Sequence, residues 1–181
     1  IRSRGLGDVY KRQEVDMLAS GGASMLDRHG IADAYVNEGH ALVIANGGGA
    51  DLEGCVCGDD CWGVIDLLIS ENGSDGAIPD LVRRILDDGA YVAWVGYMRP
   101  MEDADEYADC GGEVDLLRER LQRLDESEDG MVFVDGALIG TGVEEDLYDP
   151  DGYHPSPEGC AALGEEVAQR VDGAFGLSAL G

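Results

Sequence analysis

Three short, unbroken apolar runs, Ala41–Ala45, Tyr91–Val95 and Met131–Val134, constrain this chain more than any other feature. None alternates with polar residues, so each predicts a strand covered on both faces rather than one half open to water. The stretches between them carry helical period. Ile78, Leu81, Val82, Ile85 and Leu86 fall at i, i+3, i+4, i+7 and i+8, and Val114, Leu117, Leu121 and Leu124 make a second stripe. Leu163, Val167 and Val171 form a shorter one, after a Ser156 suited to an N-cap and a Pro157 suited to the first helical turn. Doubly buried strands alternating with amphipathic helices imply a parallel sheet with helices on both faces, a three-layer α/β/α sandwich. Val15–Ala19 is a weaker fourth strand candidate. With 181 residues, no internal repeat and no linker, one domain is expected.

Charge narrows the partners. Thirty-eight acids face 12 basic residues, a formal net charge of -26, which repels nucleic-acid phosphates and anionic lipid. No apolar run reaches the roughly 18 residues of a membrane span. A densely acidic surface suits a saline habitat, where the Debye length falls to about 3 Å at 1 M salt. The acidic bias of a GC-rich genome accounts for the same composition. The basic residues are uneven: Ile1–Gln13 holds Arg2, Arg4, Arg12 and Lys11, the chain's only lysine. Such a shift at a terminus reads as foreign sequence, and Gly5–Gln13 resembles the translated adapter tail of a metagenomic reading frame. The expected organisation is a foreign tail at 1–13 and a domain over 14–181.

The strongest chemical signal is Asp151–Gly159, which reads Asp-Gly-Tyr-His-Pro-Ser-Pro-Glu-Gly. Asp151 and His154, three residues apart in one tight loop, can meet carboxylate to Nδ1. That fixes the imidazole tautomer and leaves Nε2 as a general base. Pro155 holds the His154 backbone extended. Gly47–Gly49 follows the first apolar run, and both loops lie at the carboxyl ends of strands, where open α/β folds place their sites.

These residues resemble the SGNH, or GDSL-type, hydrolases, whose last motif is Asp-x-x-His, commonly followed by Pro-Ser and a glycine. Asp151, His154, Pro155, Ser156 and Gly159 match it. Ala45–Leu52 stands where the family carries Gly-x-Asn-Asp, with Gly48 and Asp51 matching. Ala19–Met25 resembles the family's second block, in which a glycine amide donates to the oxyanion; Gly22 is the best match. The resemblance covers nearly all of the chain from Glu14 onwards. It implies a flavodoxin-like sheet and hydrolysis of a small-molecule ester or acylated carbohydrate by a Ser-His-Asp mechanism, without metal or organic cofactor.

Two departures qualify it. The family's Gly-Asp-Ser block is absent: Gly7-Asp8-Val9 carries valine where the nucleophile belongs, and the 13 residues between Asp8 and Gly22 are too few for a βαβ unit of about 30. The first strand and its serine are expected to be missing, and this chain to be inactive. Ser20, Ser24 and Ser156 are the other serines near motif blocks, Ser156 being better explained as a cap. Ala50 replaces the motif asparagine, whose side chain resembles an oxyanion donor; loss of one such donor typically costs about 10² to 10³ in rate. Asn46 is a nearby substitute. The alternative reading is a degenerate member that binds a carbohydrate or acyl group without hydrolysing it.

Cys55, Cys57 and Cys61 cluster, with Cys110 distant and Cys160 on the last helix. Four thiolates can bind zinc, although no paired C-x2-C knuckles are present. A related branch of the family implies two disulfides instead, which favours an extracytoplasmic compartment. Cys160 reads as a small buried residue. His29 and His40 have no motif partners and read as surface histidines, and the acid runs 102–109 and 144–151 read as solvated loops.

Overall fold

The computed structural model describes residues 15–55, 61–104 and 107–176. The terminal tail at 1–13, and Gly7-Asp8-Val9 with it, lies outside the described residues.

The three apolar runs form β1 (Leu42–Ala45), β2 (Tyr91–Val95) and β3 (Met131–Val134). They build one parallel sheet in the order β1-β2-β3, with Leu42 opposite Tyr91 and Val92 opposite Met131. The helices are α1 (Ile31–Ala34), α2 (Gly49–Leu52), α3 (Cys61–Leu68), α4 (Ala77–Asp87), α5 (Gly111–Ser127) and α6 (Pro157–Phe175). On one face of the sheet, Val92, Trp94, Met131 and Phe133 pack against Ile78, Val82 and Ile85 of α4 and Leu117, Leu121 and Leu124 of α5. On the other, Ala93 and Val132 meet Val167, Val171 and Phe175 of α6. Phe175 also stacks on Tyr91 with ring centroids 4.2 Å apart. Helices therefore cover both faces, the layering that the uninterrupted apolar strands predict. Trp94 is fully buried in the central strand, and burying a side chain of this kind stabilises by roughly 1.5–3 kcal/mol.

Charge also enters the core. Arg120 on α5 is only 6% exposed, and its Nη1 donates to Asp66 at 2.7 Å and to the Ile69 carbonyl at 2.6 Å. It thereby closes the end of α3 against α5, where the sequence pattern shows only a polar position between Leu117 and Leu121.

Three expectations need correction or refinement. Val15–Ala19 is not a strand: it has no regular structure, and Val15 and Met17 are 77% and 84% exposed. A strand needs a paired neighbour, and this segment pairs with none of the three. Among the described residues β1 is consequently an edge of the sheet, and its Ile44 stays 58% exposed on the face that α6 covers over the other strands. Cys160 is exposed rather than buried, because it lies one turn into α6 on the side away from the sheet. Cys55 and Cys61 form a disulfide, and Cys110 is also disulfide-bonded, with its partner outside the described residues. Among the described residues no helix is long and apolar enough to cross a membrane.

Candidate functional site

The connections after β1, β2 and β3 all leave the carboxyl edge of the sheet, because the strands are parallel. The candidate residues sit on these connections.

The loop between β3 and α6 is closed by a Tyr148–Pro155 bridge and by the Asp149 amide, which donates to the His154 carbonyl at 2.9 Å. Inside it, Asp151 uses both oxygens. Oδ1 accepts from the backbone amides of Tyr153 at 3.1 Å and His154 at 3.0 Å, and Oδ2 lies 2.8 Å from His154 Nδ1. The carboxylate thus folds the turn and orients the ring at once. Partial burial pulls the Asp151 pKa upward, but hydrogen bonds from the His154 ring and from the His154 and Tyr153 amides outweigh it and hold it below the usual carboxylate range. His154 is 61% exposed, with the Tyr153 ring tilted beside it at 4.2 Å between centroids. With Nδ1 engaged, Nε2 is the nitrogen left to take a proton.

Ser156 anchors the loop to the helix. Its Oγ donates to the Asp146 carbonyl at 2.7 Å and accepts from the Gly159 amide at 3.1 Å, an N-cap. Gly159 is required by close approach, since a Cβ there would lie 2.2 Å from the Leu147 carbonyl oxygen. The loop also docks on the connection after β2, where the Met101 amide donates to the Gly152 carbonyl at 2.8 Å.

The second group gathers after β1. Gly48 adopts φ +108°, a conformation that favours glycine, and turns the chain into α2. Asp51 on α2 reaches back to the segment after Gly22. Oδ1 accepts from Ser24 Oγ at 2.5 Å and the Leu26 amide at 2.9 Å, and Oδ2 from the Met25 amide at 2.8 Å. Gly22 itself sits in an exposed turn at φ +72°, two residues before this clamp. The structure therefore brings Gly48, Ala50 and Asp51 together with the Gly22 segment, and Asp151 together with His154. The connection after β2 touches both groups: Tyr97 contacts Gly49, and Met101 contacts Gly152.

Several substitutes are otherwise engaged. Asn46 Nδ2 donates to the Val95 carbonyl at 2.7 Å, which ties it to β2. Ser24 is held by Asp51 and Ser156 caps α6. Ser20 lies exposed at the end of the irregular stretch. Tyr97 escaped the motif reading, and the motif placed Asp51 without its structural role. Asp51 proves to be a clamp on a segment 25 to 27 residues away, and Tyr97 hydrogen-bonds to Gly49. For Tyr97 a signal was present, its place two residues beyond an apolar run.

Elsewhere, Asp16, Glu38 and His40 bring ligand atoms within 4.8 Å of one another beside a cleft of about 200 Å³, and His40 Nε2 lies 3.2 Å from Asp16. That cleft is lined by neither Asp151 nor His154.

The chain matches no protein-family model, and no curated protein sequence is similar to it. The functional reading accordingly rests on the residues and their geometry.

Proposed function

We propose that this chain carries the acid–base part of an SGNH-type serine hydrolase that cleaves the ester bond of a small molecule or an acylated carbohydrate. One observation carries the reading: the 2.8 Å contact of Asp151 with His154 Nδ1, in a loop at the carboxyl edge of a parallel sheet, with Nε2 left for proton transfer. In the proposed reaction a serine supplied by sequence upstream of Glu14 attacks the acyl carbon. The Oγ–C bond forms, the carbonyl electrons move to oxygen, and His154 Nε2 takes the serine proton. Collapse expels the alcohol, which leaves with that proton. Water then repeats the sequence on the acyl-enzyme and releases the acid. Asp151 stabilises the transient imidazolium, and the Gly22 amide helps to hold the oxyanion.

Ala50 favours a second reading, a binding protein of the same fold that no longer hydrolyses its acyl ligand. A fluorophosphonate separates the two, because only an activated serine displaces its fluoride. Protein expressed from the gene with its upstream sequence is expected to take up one phosphonyl group, and His154→Ala to abolish labelling. Folded native protein that is never labelled would overturn the hydrolase reading.

A further inference from the structure

Tyr97 is a half-buried polar group beside the candidate site that the proposed chemistry leaves unused. It stands two residues past the carboxyl end of β2, the central strand, and its hydroxyl oxygen accepts the Gly49 amide at 2.8 Å. The fit is close: a Cβ on Gly49 would lie 2.9 Å from both Cζ and the hydroxyl oxygen, so glycine makes room for the phenol. The oxygen is therefore fixed at the residue immediately before Ala50. Having accepted one hydrogen bond, the hydroxyl still has its own proton to give, and among the described residues no acceptor takes it. Burial pushes its pKa up to about 12, helped by the Asp51 charge against the lowering effect of the Gly49 amide, so it remains a donor throughout the neutral range. Asn46, the other candidate, is committed to the Val95 carbonyl. The segment that carries Tyr97 also reaches the His154 loop: Met101, four residues on and at most about 14 Å along the chain, donates to Gly152.

We infer that Tyr97 donates its hydroxyl proton to the carbonyl oxygen of the bound acyl group, in place of the side chain that Ala50 lacks. The site accordingly recognises the acyl oxygen of esters and the carboxylate of the released acid. This inference rests on the hydrolase reading above, since it places an acyl group between Tyr97 and His154.

The product side tests it on the chain as it exists, without turnover. Protein labelled with [¹³Cζ]tyrosine is titrated with sodium butyrate in 1 M sodium chloride, and the resonances of Tyr97 and the His154 ring are followed. Both are expected to move with one saturation curve, and Tyr97→Phe, verified as folded by circular dichroism, to weaken binding about tenfold or more. A purely structural Tyr97 would show no butyrate-dependent shift. Movement of His154 without Tyr97, or equal affinity in Tyr97→Phe, overturns the Tyr97 assignment and leaves the hydrolase reading standing. Movement of neither removes both. Should Tyr97→Phe fail to fold, the native titration alone decides.

Discussion

Asp151 makes three hydrogen bonds with two oxygens, and all three partners lie within three residues of it. That locality is why Asp-x-x-His was legible in sequence: spacing alone brings the groups into reach. Its pKa is held low by the bonds to His154 and Tyr153, so the bonded carboxylate stabilises the fold above its unfolded pKa of about 4 and loses that contribution as pH falls through the lower folded value. The gap in melting temperature between the native protein and Asp151→Ala should therefore close as pH falls below about 4. A gap that persists at pH 2 would contradict this origin. Asp51 presents the opposite case. Its partners Ser24, Met25 and Leu26 are 25 to 27 residues away, beyond anything that motif spacing encodes. Asp51→Ala is expected to cost on the order of 1–3 kcal/mol and to strip hydrogen-exchange protection from the Met25 and Leu26 amides. Protection that survives would mean the clamp is not what holds the Gly22 segment.

At the scale of elements, packing decides which patterns become structure. The β1, β2 and β3 runs were readable because strands covered on both faces carry no polar residue to interrupt them. Val15–Ala19 failed because half of such a pattern is also what an unpaired, exposed segment looks like, and pairing depends on residues far along the chain. Cys160 failed for a related reason: three residues of apolar period after Pro157 do not say which side of α6 faces the sheet. The same helix provides a paired test. A Cβ at Gly159 would meet the Leu147 carbonyl, whereas one at Gly164 would meet nothing within 4 Å. Gly159→Ala should destabilise by about 2 kcal/mol or more and disturb the His154 loop. Gly164→Ala, in the exposed helix interior, should stabilise by about 0.5–1 kcal/mol. Denaturant unfolding of both variants checks the pair, and equal shifts would show that the Ser156–Gly159 corner is looser than described.

Across the whole molecule, 38 acids against 12 basic residues leave the folded state repelling itself. Ion pairs such as Arg118–Asp135 and Arg83–Glu128 offset this only locally. Raising sodium chloride from about 0.05 M to about 2 M shortens the screening length severalfold, so the melting temperature should climb over that range. A flat profile would argue that the acidic surface plays no part in stability. Layer order was legible from composition and period, because both faces of the sheet needed helices. The relation between the Gly48 and His154 groups was not, since it depends on how the connection after β2 bridges two loops. What that edge does is tested most directly by hydrolysis of p-nitrophenyl butyrate with protein expressed from the gene together with its sequence upstream of Glu14. Turnover that falls by about 10⁴-fold or more in His154→Ala is the expected result. Turnover unchanged by that substitution, or none at all from a folded protein that carries an intact Gly-Asp-Ser block, would contradict the assignment of Asp151 and His154 as the acid–base pair.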